Sequence, residues 1–181
     1  MRRGVFLDRD GTINRAFLRD GKSYPPASLD EFELLPDAVT AIHRLHDAGL
    51  MTVVVTNQPD VATGKQSRAV VDSMNERLAA LVPIDTVRAC FHVEADGCDC
   101  RKPKPGLLLE AAREFDIDLK CSYMVGDRWR DIAAGQAAGC FSILLDGGPD
   151  EGVAAAPDAV AGSLLAATDI ILDLDRKRTA A

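Results

Sequence analysis

Polar and charged residues suited to catalysis follow four apolar segments of the sequence. In chain order the groups are Asp8-Arg9-Asp10-Gly11-Thr12, Thr56-Asn57-Gln58, Arg101-Lys102-Pro103-Lys104-Pro105 and Gly126-Asp127-Arg128. Asp8, Asp10 and Asp127 would form a carboxylate cluster, and like charges held that close need a cation. An all-oxygen environment of this kind suits Mg²⁺, which also takes water and a substrate phosphate as ligands. Because Thr56 and Lys102 add a hydroxyl donor and a positive charge, the set predicts phosphoryl transfer.

A second group of residues has the spacing of a metal site. Cys90-x-His92 is followed after five residues by Cys98-x-Cys100, which offers three thiolates and one imidazole. Four such ligands complete a tetrahedral zinc shell and leave no position for water, so the site is expected to be structural. It would fix the loop that carries Arg101 and Lys102. The other two cysteines, Cys121 and Cys140, are interpreted as buried apolar thiols.

The elements that must position these residues alternate along the chain. Apolar and β-branched runs predict strands over residues 5–7, 51–56, 87–92, 123–125 and 142–145, and helical periodicity predicts helices over 37–49, 67–81, 105–115 and 129–138. This alternation predicts an α/β fold with a doubly wound, Rossmann-like parallel sheet covered on both faces. The carboxyl ends of such strands meet at one edge, where ligands bind. Residues 15–36 and 146–162 are predicted as loops, and 163–177 as a last helix.

Composition limits the classes of protein that the chain can be. It has 181 residues, 47% hydrophobic and 27% charged, with a net charge of −7. We therefore expect a single domain over residues 1–181, and no nucleic-acid partner, since general binders carry basic surfaces. No apolar run reaches the roughly 18 residues that cross a bilayer, and the apolar stretch ending at Asp8 is too short for a signal peptide. A cytoplasmic location without membrane contact is expected.

The order of the four groups resembles the four motifs of the haloacid dehalogenase superfamily of phosphatases, over about residues 4–146. The resemblance implies that Asp8 is the nucleophile that forms an aspartyl-phosphate, and that Asp10 is the general acid and base. Thr56 and Lys102 would hold the transferring phosphoryl oxygens. Asp127 would bind Mg²⁺ together with the Asp8 carboxylate and the Asp10 backbone carbonyl. Asp131, one helical turn on, would support the site or would otherwise lie on a helix surface.

The zinc motif followed by Arg-Lys-Pro is similar to the branch (subfamily IIIA) that contains D-glycero-D-manno-heptose 1,7-bisphosphate 7-phosphatases and histidinol-phosphate phosphatases. These proteins have a minimal cap and shape the pocket with short loops, including the zinc loop. The resemblance implies a small phosphorylated substrate, with the heptose bisphosphate favoured and histidinol phosphate or another sugar phosphate as the alternative. It also implies a monomer. The residues expected to bind substrate are Arg9, Asn57, Gln58, Arg101 and Arg128.

Two classes of protein other than phosphatases are compatible with parts of this sequence. A phospho-accepting receiver module is also a doubly wound sheet with acidic residues at a strand end, but it needs neither Asp10 as acid and base nor a zinc site. An inactive, zinc-stabilised binding protein would not need all of the catalytic positions that this sequence contains. Phosphate turnover separates these alternatives from the enzyme.

Overall fold

A computed structural model of the chain describes residues 1–19, 22–147 and 156–179. The strands are β1 (Gly4–Leu7), β2 (Phe17–Arg19), β3 (Lys22–Tyr24), β4 (Met51–Asn57), β5 (Thr86–Cys90), β6 (Tyr123–Gly126), β7 (Phe141–Leu145) and β8 (Ala159–Ala161). The helices are α1 (Ala38–Asp47), α2 (Arg68–Leu81), α3 (Gly106–Phe115), α4 (Trp129–Ala138) and α5 (Leu164–Thr179). The predicted alternation of strands and helices is confirmed.

Six parallel strands form the central sheet, in the order β5-β4-β1-β6-β7-β8. In chain order, β4 and β5 are added on one side of β1, and β6, β7 and β8 are then added on its other side. The reversal places β1 between β4 and β6, which is the point in a doubly wound sheet where ligands bind beyond the strand ends. The order of strands thus brings together the residues that follow β1, β4 and β6.

Both faces of the sheet are covered, because alternate residues of each strand point to opposite sides. Val5 and Leu7 of β1 belong to the hydrophobic core under α1, α2 and α5. Phe6 between them belongs to the second core, which includes residues of α3 and α4. All three side chains are fully buried, so β1 is the central strand of the fold.

Three short strands lie in segments predicted as loops. The expected loop over residues 15–36 contains an antiparallel hairpin of β2 and β3, with Phe17 opposite Tyr24. Strands of three residues are too short to show a hydrophobic period, although Asp20-Gly21, which lies outside the described residues, is a typical hairpin-turn dipeptide. The expected loop over residues 146–162 includes β8 at the sheet edge, and its residues 148–155 also lie outside the described part.

Of the helices in the described ranges, none is both long enough and apolar enough to cross a membrane.

Candidate active site

Lys102 stands at the centre of the strand-end cluster. Its Nζ donates to Asp8 Oδ1 at 2.6 Å and to the backbone carbonyl of Val55 at 2.8 Å, and it pairs with Asp131 Oδ1 at 2.5 Å. The lysine is 2% exposed. Burial alone would lower the pKa of Lys102, but the charges of Asp131 and Asp8 outweigh it and raise the pKa. The ammonium group therefore stays charged and joins the carboxylate that follows β1 to a carboxylate of α4.

Asp127 completes a group of three carboxylates with Asp8 and Asp131, and one oxygen of each lies within 4.8 Å of one oxygen of each of the others. Its Oδ1 is buried and has no hydrogen-bond partner among the described residues. Burial, reinforced by the charges of Asp8 and Asp131, raises the pKa of Asp127 to about 8. Burial also raises the pKa of Asp8 to about 6, against the opposing effect of Lys102. One ammonium does not balance three carboxylates, so the donor set and the unpartnered oxygen fit a divalent cation.

Two glycines make room for these carboxylates. Gly11 adopts a φ of +94°, and a Cβ at this position would overlap the Asp127 carboxylate. A Cβ on Gly126 would overlap the carboxylate of Asp131. Asp131 is fixed further because its Oδ2 accepts from the backbone N–H of Arg128 at 3.1 Å. The alternative that Asp131 lies on a helix surface is therefore wrong, since it is 2% exposed.

Asp10 is held by three side chains. Arg9 donates to both of its carboxylate oxygens at 3.1–3.2 Å. Asn14 Nδ2 donates to Oδ1 at 2.9 Å, and Gln58 Nε2 donates to Oδ2 at 2.7 Å. A substrate contact of Arg9 stays a prediction, and in the structure the guanidinium of Arg9 binds Asp10. This guanidinium is fully buried and also donates to Asn75 Oδ1 at 2.8 Å. Its contacts orient Asp10.

The residues after β4 support their neighbours. Asn57 Nδ2 donates to the backbone carbonyl of Lys102 at 3.0 Å, and Asn57 Oδ1 accepts from the Lys102 N–H at 3.1 Å. Gln58 uses its amide group on Asp10 and on Thr56 Oγ1, at 2.9 Å for the hydroxyl. Asn57 and Gln58 were predicted to bind substrate. Both line the cavity above these residues. Their side-chain amides already bind Lys102, Asp10 and Thr56.

A cavity of about 190 Å³ opens above this cluster. Asp8, Asp10, Thr56, Lys102 and Asp131 line it, as do Arg101 and Arg128. Arg130 also lines it, together with residues that were not predicted from the sequence, namely Ser23, Tyr24, Pro25, Pro59 and Asp60. Ser23 and Tyr24 belong to the hairpin and Pro25 follows it directly. Arg128 contacts the hairpin through a hydrogen bond from Nη2 to the Ser23 carbonyl at 3.2 Å. The hairpin therefore forms one wall of the cavity.

The predicted metal motif is assembled in space. Ligand atoms of Cys90, His92, Cys98 and Cys100 all lie within 4.8 Å of one another. The sulfur-to-sulfur distances are 3.2–3.7 Å, and His92 Nδ1 lies 3.3 Å from the sulfur of Cys100. Zinc–sulfur bonds of about 2.3 Å at tetrahedral angles would separate two sulfurs by about 3.8 Å, so the group is of about the right size for zinc. All of the chain's cysteines are free thiols in the structure.

The chain resembles known proteins over most of its length. Residues 15–139 match the haloacid dehalogenase-like hydrolases. The chain is 38% identical over 149 residues to a protein of Pseudomonas aeruginosa, D-glycero-beta-D-manno-heptose-1,7-bisphosphate 7-phosphatase, covering 80% of this chain and 81% of that one. The Escherichia coli K12 protein of the same name is 37% identical over 155 residues, covering 78% and 77%. The structure also resembles a crystal structure of D,D-heptose 1.7-bisphosphate phosphatase from B. bronchiseptica, complexed with magnesium and phosphate. The two superpose with a TM-score of 0.82 at 33% sequence identity, and the match covers 95% of this chain and 99% of that chain.

The buried Arg9–Asp10 pair yields a stability prediction. Replacing Arg9 with Met removes the guanidinium and leaves the part-buried Asp10 carboxylate without its ion pair, which should lower the free energy of unfolding by about 3 kcal/mol. Asn75→Ala is the matched control, because it removes one hydrogen bond from Arg9 and should cost about 1 kcal/mol. Urea denaturation measures both. An Arg9→Met variant no less stable than Asn75→Ala would contradict the assigned role of Arg9.

Proposed function

The chain belongs to the haloacid dehalogenase-like hydrolases and is a phosphatase, and we propose that it hydrolyses the 7-phosphate of D-glycero-β-D-manno-heptose 1,7-bisphosphate. The observation that carries this proposal is the buried Asp8–Lys102–Asp131 cluster at a cavity that is lined by three arginines. The cluster has the groups that phosphoryl transfer needs, and the arginines suit a substrate with more than one phosphate. The names and the coverage of the relatives support the choice of sugar.

In the proposed reaction Asp8 attacks the phosphorus atom. Lys102 holds Asp8 Oδ1, so Oδ2 is the attacking oxygen. The bond from phosphorus to the sugar oxygen breaks, and Asp10 donates a proton to that oxygen as the alcohol leaves. Asp10 then takes a proton from a water molecule, which attacks the aspartyl-phosphate and releases inorganic phosphate and the free Asp8 carboxylate. Thr56 and Lys102 are the proposed donors to the phosphoryl oxygens, since both line the cavity.

Mg²⁺ is the proposed cation of this site. Asp8, Asp127 and the backbone carbonyl of Asp10 would hold it, and Asp131 would support the group through Lys102. The unpartnered Oδ1 of Asp127 supports this assignment. When bound, Mg²⁺ would neutralise the negative charge that the carboxylates and the phosphoryl group bring together. The residues of the chain then need only orient the phosphoryl group and move one proton at Asp10.

Zn²⁺ is the proposed ion of the cysteine cluster, where it would have a structural role. Its four ligands fill a tetrahedral shell, which leaves no position for substrate or water. The cluster borders the catalytic lysine closely: Cys100 precedes Arg101 and Lys102 in the sequence. Arg101 Nη1 also donates to the backbone carbonyl of His92 at 3.3 Å. A bound zinc ion would thus fix the loop from which Arg101 and Lys102 reach the cavity.

The substrate proposal is tested by comparing two phosphate esters in the presence of Mg²⁺. We expect the heptose 1,7-bisphosphate to exceed histidinol phosphate in kcat/KM by about a hundredfold, which equals about 2.7 kcal/mol. Phosphate release gives both values. The Asp8→Asn variant is the control for contaminating phosphatases, and it should release no phosphate at an undiminished melting temperature, because Lys102 keeps its partner Asp131. A preference for histidinol phosphate, or turnover by Asp8→Asn, would contradict the proposal.

The zinc proposal is tested by metal content and melting temperature. Protein purified without chelators should contain one zinc ion per chain. Cys98→Ser should lose that ion and melt at a lower temperature, because metal binding contributes directly to folding. Cys121→Ser is the matched control, since Cys121 lies outside the cluster, and it should keep the metal. Equal zinc content in the two variants, or none in the unmodified protein, would show that the cluster is not a zinc site.

A further inference from the structure

A second cavity, of about 200 Å³, lies beside the catalytic one, and the proposed chemistry does not use it. We call it the side cavity. Its wall is formed by the zinc loop, the segment after Lys102 and the first turn of α4, with the residues Val93, Glu94, Gly97, Cys98, Arg101, Lys102, Pro103, Lys104, Trp129 and Arg130. Arg101, Lys102 and Arg130 line both cavities. The two cavities therefore adjoin at these residues, next to the proposed position of the reacting phosphate at Lys102.

The side cavity is positively charged, and its cations differ in how they are occupied. Lys104 Nζ is fully engaged, because it donates to the carbonyls of Gly97 and Cys98 and to the carboxylate of Asp99 at 2.8–3.1 Å. Arg130 is different. Its guanidinium carbon lies 5.3 Å from the centre of the Trp129 ring, and within the described ranges it pairs with no carboxylate. Its hydrogen-bond donors are available to a ligand.

Arg101 has one engaged donor and no carboxylate partner within the part of the chain that the structure describes. Its Nη1 donates to the His92 carbonyl, which ties the side chain to the zinc loop. Two guanidinium groups thus face the junction of the two cavities, and Glu94 is the acidic residue that lines the side cavity. Guanidinium groups bind phosphate through paired N–H donors, and more strongly where contact with an aromatic ring keeps water away. The junction has the chemistry of an oxyanion site.

We propose that Arg130 binds the second, non-reacting phosphate of the sugar bisphosphate at the mouth of the side cavity, with Trp129 as the adjoining wall. The inference rests on the proposed function, because it concerns the same substrate. It adds a residue and a cavity that the catalytic cluster does not require. A substrate without the second phosphate would leave Arg130 unpaired, so the contact selects for bisphosphates over monophosphates.

Binding can be measured separately from catalysis, because Trp129 is the chain's only tryptophan. The titration uses the Asp8→Asn variant, saturated with zinc and Mg²⁺, and the sugar 1-phosphate that remains after the 7-phosphate is removed. Addition of the sugar 1-phosphate should change the fluorescence emission of Trp129 in a saturable way. Introducing Arg130→Met into this variant should raise the Kd for the sugar 1-phosphate about tenfold, which is the effect expected from the loss of one charge-assisted hydrogen bond. Arg113→Met, an exposed arginine on α3, is the matched control and should leave the Kd unchanged.

Kinetics with the active enzyme give the second measurement. Arg130→Met should raise the KM for the heptose 1,7-bisphosphate about tenfold more than the KM for the heptose 7-phosphate, and Arg130→Lys should recover part of that loss. Equal increases for the two substrates would overturn the proposal, as would a Kd that does not respond to Arg130→Met. If the bisphosphate is not hydrolysed but the 1-phosphate still binds through Arg130, the proposed function fails and the site at Arg130 stands.

Discussion

The fold and its site depend on one buried ammonium group. Lys102 is almost completely excluded from water and contacts Asp8, Asp131 and the carbonyl of Val55, so its charge is paired. Breaking such a pair would leave an uncompensated charge inside the protein, which is more costly than the pair itself is stabilising. The addition of Asp127 makes the group too negative for one lysine to balance. The negative charge of this site is not compensated by the protein alone. It would be balanced when a divalent cation and a phosphate bind.

Two parts of the structure hold Lys102 in this position. The sheet order places β1 between β4 and β6, so Asp8 and Asp127 follow neighbouring strands. The lysine itself comes from a loop that is anchored on both sides. Asn57 binds its backbone N–H and carbonyl, and Lys104 bridges back to the carbonyls of Gly97 and Cys98 within the cysteine cluster. The cysteine cluster therefore supports the loop that carries Lys102, although its four ligand residues do not line the cavity above Asp8.

The sequence predicted what is encoded by order and spacing. Strands alternating with helices imply a parallel sheet, and the carboxyl ends of its strands must meet, so Asp8, Thr56, Lys102 and Asp127 could be grouped without coordinates. Side-chain direction is not encoded in this way. Arg9 lies between two catalytic candidates, yet its guanidinium turns inward to Asp10 and Asn75, because the packing of α2 offers Asn75 there. The hairpin wall was missed because strands of three residues carry no measurable period. The side cavity was missed because Trp129 and Arg130 become neighbours of the zinc loop only through tertiary packing.

Asp8, Asp127 and Asp131 together carry more negative charge than Lys102 balances, and a divalent cation would neutralise it. A Mg²⁺ titration followed by the melting temperature tests this most directly, with the zinc content held constant. A ligand that binds only the folded state at a hundredfold excess over its Kd stabilises by about 2.7 kcal/mol, so the melting temperature should rise by about 5–10 °C. The rise should disappear in Asp127→Asn. A melting temperature that ignores Mg²⁺, or an equal rise in Asp127→Asn, would contradict the account.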